Sequence, residues 1–119
     1  MTKYGNKITY RNGIKFDSKL EADFHAEYLR PLEMGKKIKD LQIQQKFKYL
    51  SDDGTKTIFT YKADFSYRDT DKNENMIVDT KSTPTAKNST FKLKKKLIED
   101  RYKIKITVVT REKNKWIFN

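Results

Sequence analysis

The sequence predicts an α/β fold in which two amphipathic helices are set among short strands, and three observations carry that expectation. Apolar periodicity along the chain gives the order β-hairpin, α, β, β, β, α, β, β. Aromatic residues make up 13% of a chain that is only 35% hydrophobic, so large side chains can fill a core despite 36% charged residues. Arg11-Asn12-Gly13 separates two short apolar runs, and Asn-Gly is the preferred pair for a tight type I′ turn, which predicts an N-terminal β-hairpin. A length of 119 residues suits one domain spanning 1–119, with a single modest core.

After the hairpin, Ser18 with Glu21 three residues later forms a capping box, and Leu20, Phe24, Tyr28 and Leu32 give the helix one apolar stripe. Pro31 predicts a kink or break at Arg30, and Gly35 closes the segment. Leu41 to Tyr49 alternates as an amphipathic strand, with Gln45 in the apolar series. The next strand runs from about Thr57 to Tyr67, with Phe59, Tyr61, Ala63, Phe65 and Tyr67 on one face and Asp64 on the other. Met76 to Lys81 is a third strand, broken by Ser82-Thr83-Pro84-Thr85. A second helix runs from Asn88 or Ser89 to about Tyr102, its apolar side formed by Phe91, Leu93, Leu97, Ile98 and Tyr102. Lys103 to Val109 is β-branched and alternating, and Lys115 to Phe118 is a last short strand. Trp116 reads as core or edge cover rather than a base-stacking platform.

The formal charge is +11, from 27 Lys and Arg against 16 Asp and Glu. Such a field attracts polyanions, of which nucleic acid is the commonest inside cells, although solubility alone also favours charge. Lys outnumbers Arg, which suits phosphate contact better than bidentate base reading. Without cysteine there is no disulfide and no thiolate zinc site, so a reducing compartment is expected. No apolar run is long enough for a membrane span and the N-terminus lacks a signal-peptide pattern, so the chain is expected to be cytoplasmic and without a membrane partner.

Asp64 ends one apolar run, and Asp79-Thr80-Lys81 ends the next. A strand turns Asp79 and Lys81 the same way, and Asp64 can join them if the strands are neighbours. Each residue also has a plain reading. Asp64 could be a solvent-facing aspartate. Glu21 is a helix cap or a third carboxylate, and nothing local decides. Gln45 is a strand-end glutamine or a polar contact to the site, since an unpartnered buried amide costs about 1–3 kcal/mol. His25, the only histidine, is a partly exposed helix residue or a support near the cleft. Lys87, Lys92, Lys94 and Lys95 form a solvated helix face or a nucleic-acid-binding surface. Phosphodiester cleavage needs charge neutralised at phosphorus and an activated water. Carboxylates holding a hard divalent cation provide both, with a lysine to orient the water.

Helix-Glu, strand, strand-Asp, strand-Asp-x-Lys, basic helix, strand resembles the PD-(D/E)XK nuclease superfamily. Gly13–Ala22, Gln45–Phe47, Tyr61–Phe65, Val78–Ser82 and Phe91–Leu97 resemble a phage and prophage family of unknown function placed in that superfamily and described as Holliday-junction-resolvase-like. The resemblance implies a restriction-endonuclease-like αβββαβ core, with a mixed sheet flanked by two helices. It implies that Asp64, Asp79 and Glu21 bind Mg²⁺ or Mn²⁺, that Lys81 serves the nucleophilic water, and that Gln45 faces the site. The implied activity is endonucleolytic hydrolysis of DNA, branched DNA such as a Holliday junction included, in a bacterial host cell and as a homodimer where two strands are cut symmetrically. Ala63 stands where the superfamily's name has proline, and Asp79 where glutamate is commoner. The rival expectations are a nucleic-acid-binding protein without catalysis, and a phage accessory protein that binds a host protein.

Overall fold

The computed structural model describes residues 7–119. Strands β1 (Thr9–Arg11) and β2 (Ile14–Phe16) form the expected hairpin, with Asn12 and Gly13 both at positive φ (53° and 78°) as a type I′ turn requires. Ser18 caps α1 (Lys19–Phe24), its hydroxyl accepting from the Glu21 amide at 3.1 Å. The helix does not break at Arg30. Instead a π-helical turn, His25–Leu29, leads into α2 (Arg30–Met34). Pro31 lacks an N–H and crowds the carbonyl four residues back, and a widened turn just before it gives that room. The extra residue advances the buried stripe, so Leu29 follows Phe24 into the core while Tyr28 and Leu32 sit at its margin. The helix closes at Gly35, but Lys36 (φ 59°) takes the left-handed position, with Lys36 and Lys37 amides returning to Glu33 and Leu32.

The remaining strands, β3 (Ile38–Leu50), β4 (Thr57–Asp69), β5 (Glu74–Thr80), β6 (Ile106–Glu112) and β7 (Lys115–Phe118), form one sheet in that order. β5 and β6 are parallel, and every other neighbouring pair is antiparallel, so the sheet is mixed. The parallel step is made by α3 (Thr83–Ala86) and α4 (Ser89–Tyr102). α4 ends at Lys103 in a left-handed conformation (φ 56°), which delays β6 to Ile106 although the β-branched run starts earlier.

Two cores lie on opposite faces of the sheet. Phe16, Ala22, Phe24 and Leu29 pack with Phe65, Val78 and Val109, whereas Ile98 of α4 packs with Phe47, Tyr61, Ala63 and Ile106. Adjacent residues of a strand point to opposite faces, and Val78 and Ile77 divide between the two cores accordingly. The expected single face for Phe59, Tyr61, Ala63, Phe65 and Tyr67 is not what forms. Phe59, Tyr61 and Ala63 face α4, while Phe65 and Tyr67 face α1. The switch falls at Asp64, opposite Gln44, whose backbone is left-handed (φ 61°) within β3 and interrupts the pleat. In α4 the apolar side is narrower than its periodicity suggests: Ile98 is fully buried but Leu93 is 58% exposed. His25, read as partly exposed, is 5% exposed and lies between the rings of Phe16 and Phe65 at 5.2 and 6.0 Å. Trp116 covers the core edge against Phe24, as expected.

A buried carboxylate ties the hairpin to the sheet. Asp23 accepts from Arg11 at 2.9 Å, Lys19 at 2.8 Å and Arg111 of β6 at 3.4 Å. Burial alone would raise its pKa, but Lys19 and Arg11 hold it below the ordinary carboxylate value.

Candidate functional site

The middle of β4 and the end of β5 open into a cleft of about 660 Å³ beneath the start of α1. Glu21, Lys62, Asp64, Thr80 and Lys81 line it, with Asp17 and Ser18 before the helix, Ser82 and Thr83 after the strand, and Arg111 at its margin. Each position follows from local folding. The Ser18 cap starts α1 so that Glu21 faces inward, 2% exposed. Asp64 faces the α1 side, on the face opposite Ala63, and at the switch Phe65 turns to that same side.

Asp64 Oδ2 accepts from the Thr80 amide at 2.8 Å and from Thr80 Oγ1 at 2.9 Å. Burial, followed by the Glu21 carboxylate beside it, pushes Asp64 up to about 7, while Lys81 pulls the other way. Glu21 Oε2 accepts from Gln44 Nε2 at 3.3 Å and from the Asp17 amide at 3.4 Å. Glu21 reaches back over the helix start as a cap, and it also stands beside Asp64.

Asp79 lies behind this group, 1% exposed and on the α4 side of β5. Tyr61 donates a hydrogen bond to Asp79 Oδ2, and Lys81 Nζ lies 3.2 Å from Oδ1. Burial and then the charge of Asp64 push Asp79 up to about 7. The Lys81 ammonium, partly buried, is held above its ordinary pKa by Asp79 and Asp64 in spite of desolvation, and it also lies 5.1 Å over the Phe91 ring. It is thus a fixed cation at the carboxylates. The Tyr61 phenol is pushed far up by burial and by Asp79, so it is a permanent donor.

The structure therefore places the four charged residues named from the sequence at one strand end, in two adjoining groups. Glu21, Asp64 and Thr80 form one, and Tyr61, Asp79 and Lys81 the other. Among the described residues no three carboxylate or histidine groups converge on a point where a metal ion could sit. The donor set still suits a hard divalent cation in its chemistry. It offers carboxylate oxygens only, and two of the three acids are costly to ionise without added positive charge.

Gln45 pairs with Ala63 along the ladder, and it is Gln44 that reaches Glu21. Of the lysines named on the second helix, Lys95 is half-buried and bonded to Glu99 at 3.2 Å, and Lys94 lies over Phe59 at 5.5 Å. Lys92 and Lys87 are exposed. Sequence reading missed Gln44, Thr80, Tyr61 and Lys62. Thr80 sits within Asp79-Thr80-Lys81 but reads as pointing away, and Tyr61 is hidden in an apolar alternation.

The fold and this strand-end cluster define a basic α/β protein with a mixed five-stranded sheet and a buried carboxylate pair bordered by lysine. The chain belongs to the family described as protein of unknown function DUF1064, whose profile matches residues 1–116. No curated protein and no solved structure matches it. No helix among the described residues is long and apolar enough to cross a membrane.

Proposed function

We propose that this chain is a divalent-metal-dependent endonuclease that hydrolyses DNA phosphodiesters. The observation that carries the reading is the buried pair Asp64, inside β4, and Asp79, at the end of the adjacent β5, with Lys81 at 3.2 Å from one acid and Glu21 beside the other. Two acids raised by burial, one of them also by Glu21 and the other by its neighbour Asp64, are an expensive arrangement without a cationic partner. The order of helix, three strands, helix and strand around them supports a restriction-endonuclease-like core.

Glu21, Asp64 and Asp79 would hold Mg²⁺ or Mn²⁺. When bound, the ion supplies charge neutralisation at the phosphate and a water of lowered pKa. The chain's own residues do the rest. Lys81, already charged and fixed by Asp79, orients the attacking water or meets charge developing on phosphorus. Thr80 holds Asp64 in place through its amide and hydroxyl, and Gln44 does the same for Glu21. Branched DNA cut by a homodimer in the host cytoplasm is the finer form of this proposal, and it rests on family resemblance.

A second reading has its own observation. Asp64 and Asp79 are each satisfied by protein partners and no three acids converge among the described residues, which suits a nucleic-acid-binding protein without catalysis, or an accessory protein on the same fold. Incubation of supercoiled, single-stranded and four-way-junction DNA with Mg²⁺ or Mn²⁺ separates the two. The nuclease reading expects cleavage by wild type and none by Asp79→Ala. Identical behaviour of the two on every substrate sinks it.

A further inference from the structure

We propose that the face of the β3–β4 hairpin turned away from α4 is a phosphate track for duplex DNA that leads into the cleft; its direction towards the cleft rests on the nuclease reading. Pairing of β4 with β5 ends at Phe65, and beyond that point β3 and β4 continue alone as a two-stranded arm. One face of this arm is covered. Phe47, Tyr49, Phe59 and Tyr61 all turn to the α4 side and pack with Phe91 and Ile98.

The opposite face presents Lys46 and Lys48 of β3 with Ile58, Thr60 and Lys62 of β4. All but Lys62 are exposed. Lys46 and Lys62 are direct partners across the ladder, and like charges so placed destabilise a pair. Lysine on an edge strand discourages sheet-to-sheet association, and both strands of the arm are edges. Asp17 neutralises Lys62, which leaves Lys46 and Lys48 without an ion pair among the described residues. Lys62 forms an ion pair with Asp17 at the cleft, so the row runs from Lys48 through Lys46 to the cleft wall. The acids nearest its far end are Asp52 and Asp53 in the turn, and Asp53 is engaged by Ser51 and Thr55.

The partner follows from what the face offers. Lys46 and Lys48 lie about 6.8 Å apart along an extended strand, and each strand of a duplex presents a phosphate every 3.4 Å or so of axis, so one passing strand meets both. Proteins that grip single strands add aromatic stacking platforms. Here the rings of the arm all face α4, which leaves charge alone to make contact. The lysines of α4, by contrast, lie across the sheet from Glu21 and Lys62, and Lys94 and Lys95 are engaged with Phe59 and Glu99.

The test is binding of a short duplex by wild type and by Lys46→Gln/Lys48→Gln over a salt series without divalent cation, each protein's fold checked by its melting curve. Loss of two phosphate contacts should lower the slope of log K against log salt by about 2. The single strand of equal length should bind less tightly than the duplex. An unchanged slope in the variant, tighter binding of the single strand, or no duplex binding by wild type overturns the track. Cleavage of the same duplex with Mn²⁺ is read in parallel. A wild type that binds with the expected slope difference but cuts nothing keeps the track and sinks the nuclease reading. A wild type that cuts while the arm variant retains its full slope does the reverse.

Discussion

Tyr61 donates its hydroxyl hydrogen bond to Asp79 from the α4 side of the sheet, so a phenol of β4 closes the back of a carboxylate on β5 whose other oxygen meets Lys81. Tyr61→Phe keeps the ring stacked at 6.3 Å on Phe91 and removes only the donor. A buried acceptor that loses a partner costs about 1–3 kcal/mol. Urea unfolding should show a lower midpoint with an unchanged slope. An unchanged midpoint would show that the bond contributes nothing to stability.

Gln44 and Gln45 make a second, sharper comparison. Gln44 carries the left-handed backbone opposite Asp64 and donates to Glu21, whereas Gln45 continues the ladder against Ala63. Gln44→Ala should destabilise the protein by about 1 kcal/mol more than Gln45→Ala. It should also slow DNA cleavage about 10-fold or more, because it loosens a carboxylate from its support. Equal effects of the two substitutions would show that the Gln44 contact is incidental.

That pair also shows where sequence reading stops. The hairpin, the Ser18 cap, the order of elements and the strands that carry the acids were legible because each depends on a local rule: a turn dipeptide, a hydroxyl three residues before a glutamate, or a period of two. Asp64 lies on the face opposite Tyr61 and Ala63, as alternation expects, but the turn of Phe65 and Tyr67 to its side was not legible, since a period of two assumes an unbroken pleat and Gln44 breaks it. Nothing about a glutamine announces a left-handed backbone. The π turn had the same effect on α1, moving burial from Tyr28 to Leu29. His25 was misplaced for a related reason, because its burial comes from Phe16 and Phe65, far from it in the helix pattern.

The buried His25 gives a pH test of the core. Desolvation, aided by Arg30, lowers its pKa from the ordinary 6.5. Between 6.5 and the lower folded value the unfolded chain holds more protons than the folded one, so falling pH favours unfolding in that window. His25→Gln abolishes this titration. The difference in melting temperature between wild type and variant should therefore shrink as pH falls through the window. A difference independent of pH would mean that His25 ionises equally in both states.

Asp64 and Asp79 carry the opposite sign, and their behaviour supplies the direct test of a cation site. Both are pushed from 3.8 up to about 7. Between those values the folded state holds more protons than the unfolded one, so rising pH weakens the fold until both acids are ionised. A divalent cation offsets that cost only where the acids are charged, and protons compete with it below. Added Mn²⁺ should therefore raise the melting temperature clearly at about pH 8 and much less at about pH 5. At 100 times the dissociation constant the gain is about 2.7 kcal/mol, or about 10 °C for a domain of this size. Asp64→Asn keeps an acceptor for Thr80 but removes one charge, so it should lose most of the Mn²⁺ shift while remaining folded. Scanning calorimetry at the two pH values, with and without Mn²⁺, measures each quantity. A shift of equal size in wild type and Asp64→Asn would place the bound cation elsewhere on the protein.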